Sequence, residues 1–158
     1  MRWLIFLSLS GCFTAYHNVK AGWVSGSDAS GGLAHGGMVI YQAYLVPDDK
    51  NYGIGGGVQF WATNREDSYG VEIAVSEDFW TRPLQEVPLG LHAEGSLLVP
   101  LNGPGIPMGL AVRGGPYIGE GSVRGSLMLH TQASLTGVPV FQFGTLAGIR
   151  WEGGLLSN

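Results

Sequence analysis

The stretch Ser68–Glu77, SYGVEIAVSE, constrains the fold more than any other in the chain. Tyr69, Val71, Ile73 and Val75 alternate with Gly70, Glu72, Ala74 and Ser76. Successive side chains of a strand point to opposite faces, so this stretch has one apolar face and one small or polar face. A helix would scatter both sets around its circumference. The same alternation recurs from about Gly37 to Trp151. It predicts strands at Tyr16–Ser25, Met38–Val46, Gly53–Thr63, Ser68–Glu77, Leu91–Leu101, Ile106–Ile118, Val123–Ser134 and Val138–Trp151.

The intervening segments read as connections. Pro47–Asn51, Asn64–Asp67, Asn102-Gly103-Pro104-Gly105 and Gly119–Gly121 have turn chemistry. Gly26–Gly37 reads as a Gly/Ser/Asp/Ala loop, and Gly55-Gly56-Gly57 as a bulge or a close backbone approach within its strand. Phe79–Gly90 contains Pro83 and Pro88, which disfavour a helix, so it reads as a long connection. Parallel pairing needs long crossovers; consecutive strands on short turns favour an antiparallel meander. Closing such a meander removes its exposed edges. The expected fold class is all-β, an antiparallel up-and-down meander closed into a barrel of about eight strands.

The totals narrow the class. A chain of 158 residues suits one domain with one core. Charged residues make up 13%, against about 25% in an ordinary soluble domain. Either the surface is polar but uncharged, or much of it faces lipid, where charge is costly. A net charge of −4 with no basic run argues against nucleic acid. One cysteine permits no internal disulfide. His17, His35, His92 and His130 are dispersed without ligand spacing, so no metal is expected. Gly53–Gly57 and Gly119–Gly121 open no helix, so neither reads as a phosphate loop and no cofactor is expected.

Met1-Arg2 followed by the apolar run Trp3–Ser10 has the form of an export signal, too short to span a bilayer as a helix. Two endings stay open. Val19-Lys20-Ala21 places small residues at −3 and −1 of a cut before Gly22, making residues 1–21 the signal and 22–158 a single barrel domain. Leu9-Ser10-Gly11-Cys12 resembles the lipobox of bacterial lipoproteins, which implies a signal ending before Cys12 and acylation of that cysteine. Either ending places the mature chain outside the cytoplasm.

Two closures are compatible with the alternation. With the apolar face outward, the barrel sits in an outer membrane around a polar lumen. With that face inward, it is a soluble, lipocalin-like cup that binds an apolar ligand against Tyr69, Val71, Ile73 and Val75. Three observations favour outward. The polar face is rich in Gly, Ala and Ser, which a crowded lumen needs and a wet surface does not. Trp23, Tyr44, Trp61, Tyr69, Trp80, Tyr117 and Trp151 lie near strand ends, as interfacial girdles do. The strands approach the roughly 9–11 residues that a tilted spanning strand needs. The longest connection, Phe79–Gly90, lies by strand parity on the opposite side from the short turns at Asn64–Asp67 and Asn102–Gly105.

Laid out this way, the chain resembles the small eight-stranded outer-membrane barrels of Gram-negative bacteria over about Tyr16–Trp151. The resemblance is one of pattern. It implies an envelope location and a final strand ending on an aromatic; Ile149 and Trp151 are suitably placed, although Glu152–Asn158 follow.

The small-residue face carries Glu72, Glu94, Arg113, Arg124, His130, Gln132, Gln142 and Arg150. In a lumen these charges must pair, because an isolated buried charge is very costly. A luminal polar network of Glu72, Glu94, Arg113, Arg124, His130 and Arg150 is expected, with Glu94 meeting Arg113 on the neighbouring strand. It would fill and fix the lumen, or act as a gate or proton-sensitive plug. A lipid-modifying hydrolase is a further reading, but the His-x-Ser arrangement of barrel deacylases is absent: the run is His130-Thr131-Gln132-Ala133-Ser134. The expectation is a non-catalytic outer-membrane barrel with a structural, adhesion or limited-permeability role. Its partners would be membrane lipid or lipopolysaccharide, with any protein partner open. The alternative is a periplasmic or secreted cup.

Overall fold

Each alternating stretch forms a strand, and the strands close on one another. The computed structural model describes residues 13–27, 30–48, 50–65, 67–79, 89–102, 108–119, 123–135 and 140–153. The strands are β1 (Phe13–Ser27), β2 (Leu33–Pro47), β3 (Tyr52–Thr63), β4 (Asp67–Phe79), β5 (Leu89–Pro100), β6 (Gly109–Ile118), β7 (Val123–Ser134) and β8 (Phe141–Gly153). Each pairs antiparallel with its sequence neighbours, and β1 also pairs with β8, giving a closed up-and-down barrel. Both ends of this meander lie at the same end of the barrel, with connections 48–51, 80–88 and 119–122. The opposite end carries 28–32, 64–66, 101–108 and 135–140.

The orientation of the wall follows from β4. Glu72 is 2% exposed, while Tyr69, Val71, Ile73 and Val75 are 46%, 37%, 64% and 57% exposed. The apolar face is therefore the outer surface. The lipocalin-like alternative is corrected here: the face that would have lined a greasy pocket points away from the lumen. The same polarity holds around the ring, with Val39, Ile54, Leu91, Val112, Leu129 and Phe143 all outward.

The glycines explain where sequence and structure differ in detail. β2 begins at Leu33, so Gly36 and Gly37 belong to a strand rather than to the expected loop. Gly36 faces inward, and a Cβ there would strike the backbone of Ala62 and Thr63 on β3. Gly55-Gly56-Gly57 makes no bulge, since the pairing of β3 with β2 and β4 runs unbroken through it. It is a close approach instead. A Cβ at Gly55 would sit 2.7 Å from the Tyr44 ring, and one at Gly57 would sit 2.8 Å from the Gln42 side chain. The missing side chains leave room for large ones from β2.

The expected girdle is also only partly realised. Trp23 and Tyr69 point outward, and Trp151 stacks on the outer-face His17 at 5.6 Å. Tyr44, Trp61 and Tyr117 are buried in the lumen, because their parity matches that of Gln42, Gln59 and Arg113 on the same strands. Trp80 lies outside the described residues.

Candidate functional site: a lumen filled in three layers

Farthest from the termini, Val24, Ala34, Met38, Ile40, Trp61, Leu98 and Leu146 form one buried apolar cluster. On four of their strands the nearby inward positions, Lys20, Gln42, Gln59 and Ser96, are polar. The side chains of the cluster meet across the barrel and plug it with hydrocarbon and an indole.

The middle layer is charged. Arg113 on β6 stands directly opposite Glu94 on β5, and its Nη1 bonds that carboxylate. Its Nη2 donates to Glu72 at 2.8 Å and to Gln59 Oε1 at 3.0 Å, and its Nε donates to His130 Nδ1 at 3.2 Å. Lys20 on β1 reaches across to Glu94 and to Gln42. Gln42 Nε2 donates to Glu72 at 2.6 Å and to Glu94 at 2.7 Å. Ser96 donates to Glu72 at 3.1 Å, and Gln59 donates to Gln132 at 3.1 Å. Lys20 and Arg113 thus balance Glu72 and Glu94, and each buried carboxylate is shared among several donors. This is the condition under which burying charge is tolerable.

The third layer lies nearest the termini. Asp78 accepts from Arg124 Nη1 and Arg150 Nη1, each at 2.9 Å, and bonds His92 Nδ1 at 2.6 Å. The Arg150 guanidinium lies 4.1 Å over the Tyr16 ring and that of Arg124 lies 5.1 Å over Tyr117. Stacked, paired guanidiniums and phenol rings close this end with planar groups.

The structure therefore brings Glu72, Glu94, Arg113 and His130 together in one layer, and puts Arg124 and Arg150 in another, around Asp78. Sequence reasoning missed Lys20, which lay in a candidate export signal, and Asp78, which lay between the expected strand Ser68–Glu77 and the expected connection Phe79–Gly90. The signal for Asp78 was present: it continues the inward phase of Glu72, Ala74 and Ser76. Cys12 lies outside the described residues. His130 is buried within the middle layer against Arg113.

No family model and no curated protein matches the chain. Solved structures do. Neisserial surface protein A aligns with 88% of this chain and 97% of its own at a TM-score of 0.66 and 17% identity. The two share the fold of a small closed antiparallel β-barrel. Ail, the attachment invasion locus protein of Yersinia pestis, in complex with the heparin analogue sucrose octasulfate, covers 87% of this chain and 99% of its own. Its identity is 11% and its TM-score 0.36.

Proposed function

We propose that the protein resides in the outer membrane as a sealed, non-catalytic barrel that serves the structure of the envelope. One observation carries this reading: the wall is apolar on every strand, while the ion pairs lie inside. Soluble monomers rarely expose contiguous apolar patches beyond a few hundred Å². A barrel in lipid requires that arrangement.

Three details refine the role. The apolar plug and the two polar layers occupy the lumen in series, which speaks against permeability. The connections at both ends, of which 80–88 is the longest, leave little chain for a projecting adhesive surface. Of the eight Lys and Arg in the chain, Lys20, Arg113, Arg124 and Arg150 lie in the lumen. Few cations are left to bind lipopolysaccharide phosphates, so contact with lipid or lipopolysaccharide runs mainly through acyl chains. The histidine of the lipid-hydrolase reading, His130, lies inside the barrel and is bonded to Arg113, away from the lipid-facing wall.

Expression in a Gram-negative host tests this. The protein should fractionate with outer membranes, require detergent, and migrate differently on gels before and after boiling. In planar bilayers it should show no stable conductance. A monomer in plain buffer would overturn the location, and a steady channel would overturn the sealed lumen.

A further inference from the structure

We infer that export processing ends upstream of Phe13, so that the whole of β1 belongs to the mature barrel. This excludes a cut between Ala21 and Gly22. Phe13–Ala21 is the half of β1 nearest the termini. It pairs with β2 from Phe13↔Pro47 to Ala21↔Val39, and with β8 from Ala15↔Gly153 to Ala21↔Ala147. It is the seam of the barrel. Without it, β2 and β8 would face a gap with unpaired backbone N–H and C=O groups. Open sheet edges do not occur within the hydrocarbon region, where no water replaces the lost bonds.

A second observation is independent of lipid. Lys20 is completely buried and bonds both Glu94 and Gln42. Removing it would leave Glu72 and Glu94 in the middle layer with Arg113 as the remaining cation bonded to them. The same cut would take Tyr16 from under Arg150 and Asn18 from the lumen wall. A leader peptide has no reason to place a lysine where it neutralises a luminal carboxylate. Any cut upstream of Phe13, whether at Cys12 or elsewhere, leaves all of these contacts intact.

The test is the N-terminus of the full-length gene product recovered from outer membranes, read by intact mass and N-terminal peptide mapping. The expected mature chain contains Phe13–Ala21, with or without an acylated Cys12. A heat-modifiable barrel starting at Gly22 would overturn the inference. Two variants make the answer independent of recovery. Ala21→Leu puts a large residue at −1 of the rejected cut but an apolar one on the outer wall. It should mature and fold as the wild type does; accumulation of precursor would overturn the inference. Lys20→Met should lower the urea midpoint of the purified barrel. An identical mass and midpoint for the two proteins would show that residue 20 is absent from the mature chain. A protein found in the wrong compartment but still carrying Phe13–Ala21 would count against the proposed function and leave this inference standing.

Discussion

The apolar plug and the charged middle layer fill the same lumen, a few residues apart on the same strands, by opposite means. Around Trp61, Met38 and Leu98 the space is filled by shape alone, and each side chain contributes separately through contact. Around Arg113 the space is filled by a circuit in which Lys20, Gln42, Glu72 and Glu94 each depend on the others. The plug should therefore lose stability in proportion to the volume removed. The circuit should fail at once when one member goes, and recover in part when its counterpart goes too.

The largest expected effect is at the hub of the circuit. Arg113→Ala leaves two carboxylates short of a cation and should cost about 3–5 kcal/mol, enough to prevent folding of a marginal barrel. Urea unfolding in detergent, followed by the gel shift, reads it. A loss below that of a plug truncation would break the distinction between the layers. Leu98→Ala in the plug should cost about 3 kcal/mol, and a second truncation there should add to that loss rather than offset it. Lys20→Met combined with Glu94→Gln should be less destabilised than the two single losses summed, with a coupling of about 1–3 kcal/mol. Additivity in that cycle would mean that the ion pair does not act as a unit. Gly57→Ala drives a methyl onto the Tyr41 backbone carbonyl and against Gln42, and should cost about 1–3 kcal/mol through overpacking. Val71→Ala on the outer wall touches neither layer and should fall within about 0.5 kcal/mol of wild type.

How much of this was legible depended on what a period of two can encode. The alternation at Tyr69–Val75 predicts a strand and the partition of its residues into two faces, and β4 realises both. The phase of β5, β7 and β8 was readable in the same way, so Glu94, Arg124, His130 and Arg150 could be placed on one face. Strand ends were less legible. Gly36 and Gly37 have loop composition, yet both lie in β2 and Gly36 serves strand packing, because a glycine that avoids a collision and a glycine that permits a turn look alike in sequence. Position along the strand predicts girdle residues at the strand ends, whereas parity turns Tyr44, Trp61 and Tyr117 inward. Lys20 was obscured by a segment whose composition also suits a leader.

By itself, the sequence determined that the chain is a meander of strands with one apolar and one small, polar face, because alternation is a local property written residue by residue. Only the tertiary structure decided that the polar face is the inner one. A period of two is the same whichever face a closing sheet turns inward. Closure also decided the partners. Lys20 and Glu94 are 74 residues apart and sit on strands across the lumen from each other. Their meeting depends on the width and stagger of the closed barrel, which no single strand records.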